Sequence, residues 1–230
     1  MAMTEVRPNK RARLSMVLLL LASAVAGCVT PKAKPLPPSP VTVEQGKASG
    51  WLAIASATDR GRIDRAASAW SEGLAAARIS HRGDVSEEGL LLKPGAGLSR
   101  PAPTPGSYSC KLVTLGSDKS RSASFERFKP FFCYVEVEGN LFTIVKQTGS
   151  QRPAGRLYDD DVNTRLVFLG TLALGSEEEA RAYGDDAKRD MAGIFERIGP
   201  FRWRLVIPYP QDGAKLDVFE LTPVADQPKP

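Results

Sequence analysis

From Ser107 almost to its end, the chain alternates apolar and polar residues with a period of two. That period belongs to strands, because successive side chains on a strand point to opposite faces. Segments of this kind lie near 107–115, 130–138, 140–147, 152–158, 164–174, 190–198, 200–207 and 214–222. In FRWRLVI, for example, Phe201, Trp203, Leu205 and Ile207 share one face, and Arg202 and Arg204 share the other. The links are short. Gly139-Asn140 makes a tight turn between the second and third segments. Asp159-Asp160-Asp161-Val162-Asn163 makes a polar loop between the fourth and fifth. Eight such strands in sequence predict a mainly β fold: an antiparallel up-and-down barrel, calycin-like, preceded by a helical segment. A barrel of this size is either filled with side chains or holds one small ligand. A cavity lined by Trp203, Phe168 and Tyr108 would mark a carrier.

Two of the strands are unusual. In the sixth, Met191, Ile194, Phe195 and Ile198 also fit a helix face, but Gly193 and the direct run into FRWRLVI favour a hairpin. The fifth, RLVFLGTLALG, is apolar on both faces. One face suits the barrel interior and the other needs a cover. A helix upstream can supply it. Ile63, Ala66, Ala67, Trp70, Leu74 and Ala77 recur at three- and four-residue steps, Thr58 or Asp59 can cap the start, and Gly83-Asp84 ends the region. A Pro- and Gly-rich loop, KPGAGLSRPAPTPG, leads from there into the strands. Ser176-Glu177-Glu178-Glu179 reads as a capping box, which predicts a short helix after the fifth strand. The body therefore divides into a helical segment over 51–100, packing on the barrel, and the barrel itself over 101–225.

The N-terminus reads as an address. Arg7, Lys10, Arg11 and Arg13 precede an apolar run from Leu14 to Ala26. That run is well short of the ~20 residues that cross a bilayer, and its three-part form is that of a secretory signal. Its ending, Val25-Ala26-Gly27-Cys28, resembles the lipobox of bacterial lipoproteins. The resemblance implies a signal peptide over 1–27, cleavage before Cys28 and a lipid on that thiol. Residues 28–50 then form a Pro-rich tether. Val29, rather than Asp, follows the cysteine and leans toward the outer membrane. The expected location is exported, lipid-anchored in the cell or outer membrane, and facing the periplasm. The chain carries a net charge of +5. Without the signal this falls to about +2, and no basic block of the kind that binds nucleic acid remains.

Two further cysteines, Cys110 and Cys133, lie on strand faces with Tyr108 and Leu112, and with Phe131 and Val135. An even pair in an exported chain reads as a disulfide. Closing a loop of about 24 residues contributes roughly 3.5 kcal/mol in the loop-entropy description.

Several stretches are long and ordered: GLLLKPGAGL, PTPGSYSCKLVTLG, KQTGSQRPAGRLYDDD, VFLGTLALG, YGDDAKRDMAG, and ERIGPFRWRLVIPYP followed by LDVFEL. Together they resemble a family of proteobacterial exported proteins catalogued as domain of unknown function 4893. The resemblance runs over about 51–223. It implies a periplasmic or lipid-anchored domain and brings no activity or functional residue.

The side chains argue against most catalysis. His81 is the one histidine. No Gly-x-Ser-x-Gly elbow accompanies it, and a solvated loop accounts for it better than a triad. A histidine metal site has no second ligand. Asp159-x-Asp161-x-Asn163 imitates the start of a calcium loop, but Thr164 and Gly170 stand where glycine and glutamate belong. Glu136 and Glu138 share an outward strand face, which suits solvated charge better than a pocket. The most suggestive stretch is GSQRPAGR. Gln151, Arg152 and Arg156 can present donors to an anion or glycan, with Trp203 as a further candidate. A turn set by Gly149, Pro153 and Gly155, with solvated arginines, explains the same residues. The expectation is a non-enzymatic binding or envelope-interaction module with no catalytic residue, metal or cofactor. Its partners are the membrane, through Cys28, and an envelope protein or a small apolar or anionic ligand, with no nucleic acid. The alternatives are a small-ligand carrier with a barrel cavity, and an atypical enzyme or enzyme inhibitor.

Overall fold

The strand period is realised as a closed sheet. The computed structural model describes residues 50–117, 124–175, 177 and 180–224. The signal, Cys28, the tether to residue 49, and Ser176, Glu178 and Glu179 of the expected capping box lie outside the described residues. Helices α1 (Gly50–Ile54), α2 (Ala57–Asp64), α3 (Ala66–Ser80) and α4 (Arg82–Glu87) lead into a short 3-10 helix at Gly89–Leu92. Nine strands follow: β1 (Gly106–Leu115), β2 (Phe125–Arg127), β3 (Phe131–Glu138), β4 (Leu141–Lys146), β5 (Gln151–Asp159), β6 (Arg165–Leu174), β7 (Asp190–Gly199), β8 (Arg202–Pro208) and β9 (Leu216–Pro223).

All pairings are antiparallel, in the order β1-β3-β4-β5-β6-β7-β8-β9, and β9 returns to β1 along Tyr108–Leu115 to close the ring. The eight expected strands all form, with ends shifted by only a few residues. The ambiguous sixth is β7. It hydrogen-bonds to β6 on one side and β8 on the other, so sheet pairing overrides its helical spacing. The sequence reading missed β2, whose three residues pair with the end of β1 and are too few to show a period.

Alternation sorts the apolar residues into two cores. The inner one holds Tyr108, Cys110, Cys133, Val135, Phe168, Phe195, Trp203, Leu205, Phe219 and Leu221. Cys110 and Cys133 form the disulfide inside the barrel, their Cα atoms 6.0 Å apart. Gly155 and Gly170 face each other across β5 and β6. A Cβ on Gly155 would stand 2.5 Å from the Gly170 Cα and 2.7 Å from the Phe168 ring. The missing side chains there leave the space that Phe168 fills.

The outer core lies under the helices. Val113, Leu115, Val167, Leu169, Ala192, Ile194, Val206, Leu216 and Val218 pack with Trp51, Ile63, Trp70, Leu74, Leu91 and Leu92. This is the cover that the doubly apolar β6 required. It is built differently from the single helix expected. Arg65, with φ −93° and ψ 13°, breaks the helix in two. The N-cap of α2 is Ser56, whose Oγ accepts the Asp59 N–H, not Thr58 or Asp59. Gly83-Asp84 lies within α4 rather than ending the region. On α3, Ala69 and Gly73 are buried and Ala67 is exposed. The helix packs on β1, β8 and β9, while α2 packs on β7.

Arg204 points outward, as alternation requires, yet it is fully buried beneath this cover. Its guanidinium donates to the carbonyls of Leu90, Leu91 and Lys93 at 3.2, 2.9 and 2.8 Å and to Glu196 at 2.7 Å. It also lies 4.9 Å from the Trp70 ring centroid. Burial pulls its pKa below the usual arginine value, and the Glu196 charge opposes that. One residue therefore clamps GLLLK onto β8. Glu88 does similar work beside it, accepting from Lys111 at 2.7 Å and Arg127 at 2.6 Å. Burial alone would raise the Glu88 carboxyl, but those two hydrogen bonds and charges hold it below its usual value.

Candidate functional site

The two ends of the barrel differ. At one, Tyr108 and Trp203 point inward from β1 and β8 and meet edge to face, ring centroids 5.8 Å apart. The Tyr108 hydroxyl donates to the Thr104 carbonyl at 2.5 Å, and the Trp203 Nε1–H donates to the Pro101 carbonyl at 3.0 Å. The segment SRPAPTPG therefore lies across this end and satisfies both polar tips. Arg197 holds its start, donating to the carbonyls of Ser99 and Arg100. Burial pushes the Tyr108 phenol up to about 12, against the lowering effect of its Thr104 hydrogen bond.

At the opposite end a cavity of about 250 Å³ opens. Its walls include Leu112, Lys146, Gln151, Pro153, Leu172, Met191, Ile207, Asp217 and Phe219. Lys146 stands opposite Cys133 in the β3–β4 register, so it points inward. Its ammonium lies 4.2 Å from the Phe131 ring centroid. No carboxylate among the described residues lies within ion-pair distance of it. Burial lowers its pKa below the usual lysine value, and the Arg152 charge adds to this. Beneath it lies a small void of about 20 Å³, edged by Ile144, Phe168, Leu205 and Phe219. The side chains of Trp203, Phe168 and Tyr108 are buried in the inner core, so they do not line the cavity that would mark a carrier there. What space exists is at the other mouth.

The rim is held by polar pairs. Asp217 accepts from the Thr114 hydroxyl at 2.5 Å. Arg62 donates to Asp59 at 2.8 Å, and Asp59 also accepts from the Tyr183 hydroxyl at 2.5 Å. Gln211 donates to the Ala187 carbonyl at 2.9 Å, and Arg189 to Glu177 at 2.7 Å. These contacts fasten the loop before β7 along the mouth. Asp190, at the start of β7, is buried, and that desolvation raises its carboxyl pKa.

The residues singled out from sequence do not converge. Gln151 lines the mouth. Arg152 turns to the chain itself, donating to the carbonyls of Gly149, Gly175 and Glu177, and so braces the loops around β5. Arg156 lies on the exposed outer face in a bidentate pair with Glu138, at 2.9 and 2.7 Å. Trp203 plugs the far end. His81 stacks on Phe125, centroids 5.7 Å apart, with its Nδ1 3.1 Å from Asp84. In the acidic loop, Asp160 accepts from Trp51 Nε1 at 3.1 Å and from Arg165 at 2.5 Å, tying α1 to the β5–β6 hairpin. Among the described residues no group of three or more His, Cys, Asp or Glu side chains is arranged to hold a metal ion, and no helix is long and apolar enough to cross a membrane. The residue that the sequence reading missed is Lys146. Its signal is parity: it falls in step with Phe142 and Ile144, which face inward.

A larger, more open groove of about 580 Å³ lies between α3 and strands β7 and β8, over Trp70, Leu74, Ile194 and Val206. Of its charged lining, Arg204 is paired with Glu196 and Arg165 with Asp160, and Arg78 stands on the exposed side of α3. The mouth is therefore the better candidate.

These features define a closed antiparallel barrel with one plugged end, one open end and a helical cover on its outer face. The chain belongs to the family described as Domain of unknown function (DUF4893), whose family model matches residues 51–221. Comparison with curated proteins and with solved structures gives no match.

Proposed function

We propose that the chain is an exported, lipid-anchored module that binds a small molecule in the open mouth of its barrel and does no chemistry on it. The observation that carries the binding reading is the mouth itself. A barrel filled elsewhere keeps about 250 Å³ at one end, with the Lys146 ammonium turned into it. Concave sites with apolar walls and a few convergent polar groups are the usual form of small-molecule sites. Export and anchoring rest on the N-terminal sequence, from Arg7 through the apolar run to Cys28. The absence of an enzymatic role rests on the pairing of the reactive groups. His81 is engaged with Asp84 and Phe125, and Glu138 with Arg156.

Mass spectrometry of small molecules released from the full chain, extracted from membranes, tests the binding reading. A compound recovered with the wild type and lost from Met191→Trp, which fills the mouth, is expected. Equal recovery from both chains overturns the mouth as the site. Metabolic labelling with a clickable fatty acid tests the anchor. Label and membrane association should both vanish in Cys28→Ala, and retention of both overturns the anchoring.

A second reading, as a protein-interaction module, draws on Phe128, Phe132 and Val145, which are each about 40% exposed. Charged substitutions there should then release a partner while leaving small-molecule recovery unchanged.

A further inference from the structure

Resting on that binding site, we infer the class of its ligand: a monocarboxylate with a short apolar chain, its acid group on Lys146 and its chain against the opposite wall. The argument starts from charge. The Lys146 ammonium is partly withdrawn from water over the Phe131 ring, with no carboxylate of the described residues to neutralise it. A cation in such a place is costly unless paired. An anionic ligand supplies the pair. Lysine is a compact point charge rather than a planar fork, so it suits a single oxygen of a small head group.

The lining limits the ligand's charge. Asp190, Asp212 and Asp217 line this cavity, and so do Arg62, Lys188 and Arg189, so that apart from Lys146 its formal charges balance. Arg62 is paired with Asp59, and Arg189 with Glu177 and Asp186. One negative charge on the ligand is therefore matched by Lys146, and the second charge of a phosphate is not. The walls then set the remainder of the ligand. In the closed order of strands, β8 lies four strands from β4 in either direction, so Ile207 stands across the ring from Lys146. Leu112, Met191 and Phe219 add apolar surface between the two. A molecule held at Lys146 therefore lays its body on hydrocarbon. Liquid water occupies about 30 Å³ per molecule. At that density the cavity of about 250 Å³ encloses roughly eight non-hydrogen atoms. An eight-carbon acid slightly exceeds this and leaves its end in the open mouth, and a long-chain fatty acid is far too large to be enclosed.

The test uses the full, oxidised chain carrying Cys28→Ser, so that no acyl group competes for the mouth. Octanoate, 1-octanol, octylamine and octyl phosphate are titrated calorimetrically, and the methyl resonance of Met191 reports whether the mouth is occupied. Octanoate should bind one to one, and at least tenfold more tightly than 1-octanol or octyl phosphate. Lys146→Met should weaken octanoate tenfold or more, as expected for loss of a charge-assisted hydrogen bond, while Lys146→Arg retains most of the affinity. Equal affinity for octanoate and 1-octanol, or an unchanged affinity in Lys146→Met, overturns the carboxylate assignment. Tighter binding of octyl phosphate overturns it in favour of a dianion. Binding of 1-octanol or octylamine with a shifted Met191 signal and no octanoate binding also overturns it, yet leaves the mouth as a binding site. If no probe moves the Met191 signal, the carboxylate assignment and the mouth reading fall together.

Discussion

The two ends of the barrel are made from the same alternating strands and reach opposite solutions. At the Tyr108–Trp203 end, each buried polar tip finds a backbone carbonyl on the segment that crosses it. At the Lys146 end, an inward charge is left facing a cavity. The first arrangement stabilises the fold, because a satisfied aromatic plug buries area without leaving a polar group unmade. The second costs stability and leaves room for a ligand. Stability and binding capacity are thus separated along one barrel axis.

That contrast predicts unequal responses to substitution. Trp203→Ala should have the largest effect, destabilising the fold by about 3–5 kcal/mol through the cavity it leaves in the plug. Urea denaturation measures this, and a loss below about 1 kcal/mol would mean that the plug contributes little. Tyr108→Phe should cost less, about 0.5–1.5 kcal/mol, by removing one hydrogen bond to Thr104. It should also change the response to alkali. The folded phenol titrates at about 12 against an ordinary 10.0, so its contribution is complete below pH 10.0 and is lost as pH rises toward 12. Denaturation midpoints across that range should fall less steeply for Tyr108→Phe than for the wild type.

Lys146→Met should have the smallest effect at neutral pH, leaving stability equal or slightly higher. Its pH signature has the opposite sign. The folded ammonium titrates below its ordinary 10.5, so the contribution of this group is complete above 10.5 and is lost as pH falls through the folded value. The wild type should therefore gain stability relative to Lys146→Met as pH rises toward 10.5. A marked destabilisation by Lys146→Met at pH 7 would instead make the lysine part of the structural framework and erase the difference between the two ends.

Much of this molecule was readable before folding was considered. Trp203, Leu205 and Ile207 alternate so cleanly that their inward face follows directly, and Cys110 and Cys133 lie on inward faces of paired strands. Phe201, expected on the same face, instead lies in the turn before β8 with φ 50° and is 70% exposed, because the β7–β8 turn takes it out of the ladder. The helical cover was only partly readable. The stripe from Ile63 to Ala77 announces a helix, but the break at Arg65 and the short helices to either side depend on contacts with β1, β7, β8 and β9. Arg204 shows the same limit. Alternation places it outward, and in an isolated strand outward means solvent. Here it means the underside of GLLLK, where three carbonyls and Glu196 enclose it. The GSQRPAGR stretch looked like a donor cluster, but strand geometry sends Arg152 to its own loops and Arg156 to Glu138.

Residue order alone determined the strand count of the ring, the burial of the cysteine pair and the need for a cover over Val167 and Leu169, because period and parity are local properties of the chain. Only the tertiary structure decided which end is plugged, which charges are satisfied and where space remains. Those outcomes depend on which segments cross the strand ends and on which side chains meet across the ring, and distances of that kind are not written in neighbouring residues.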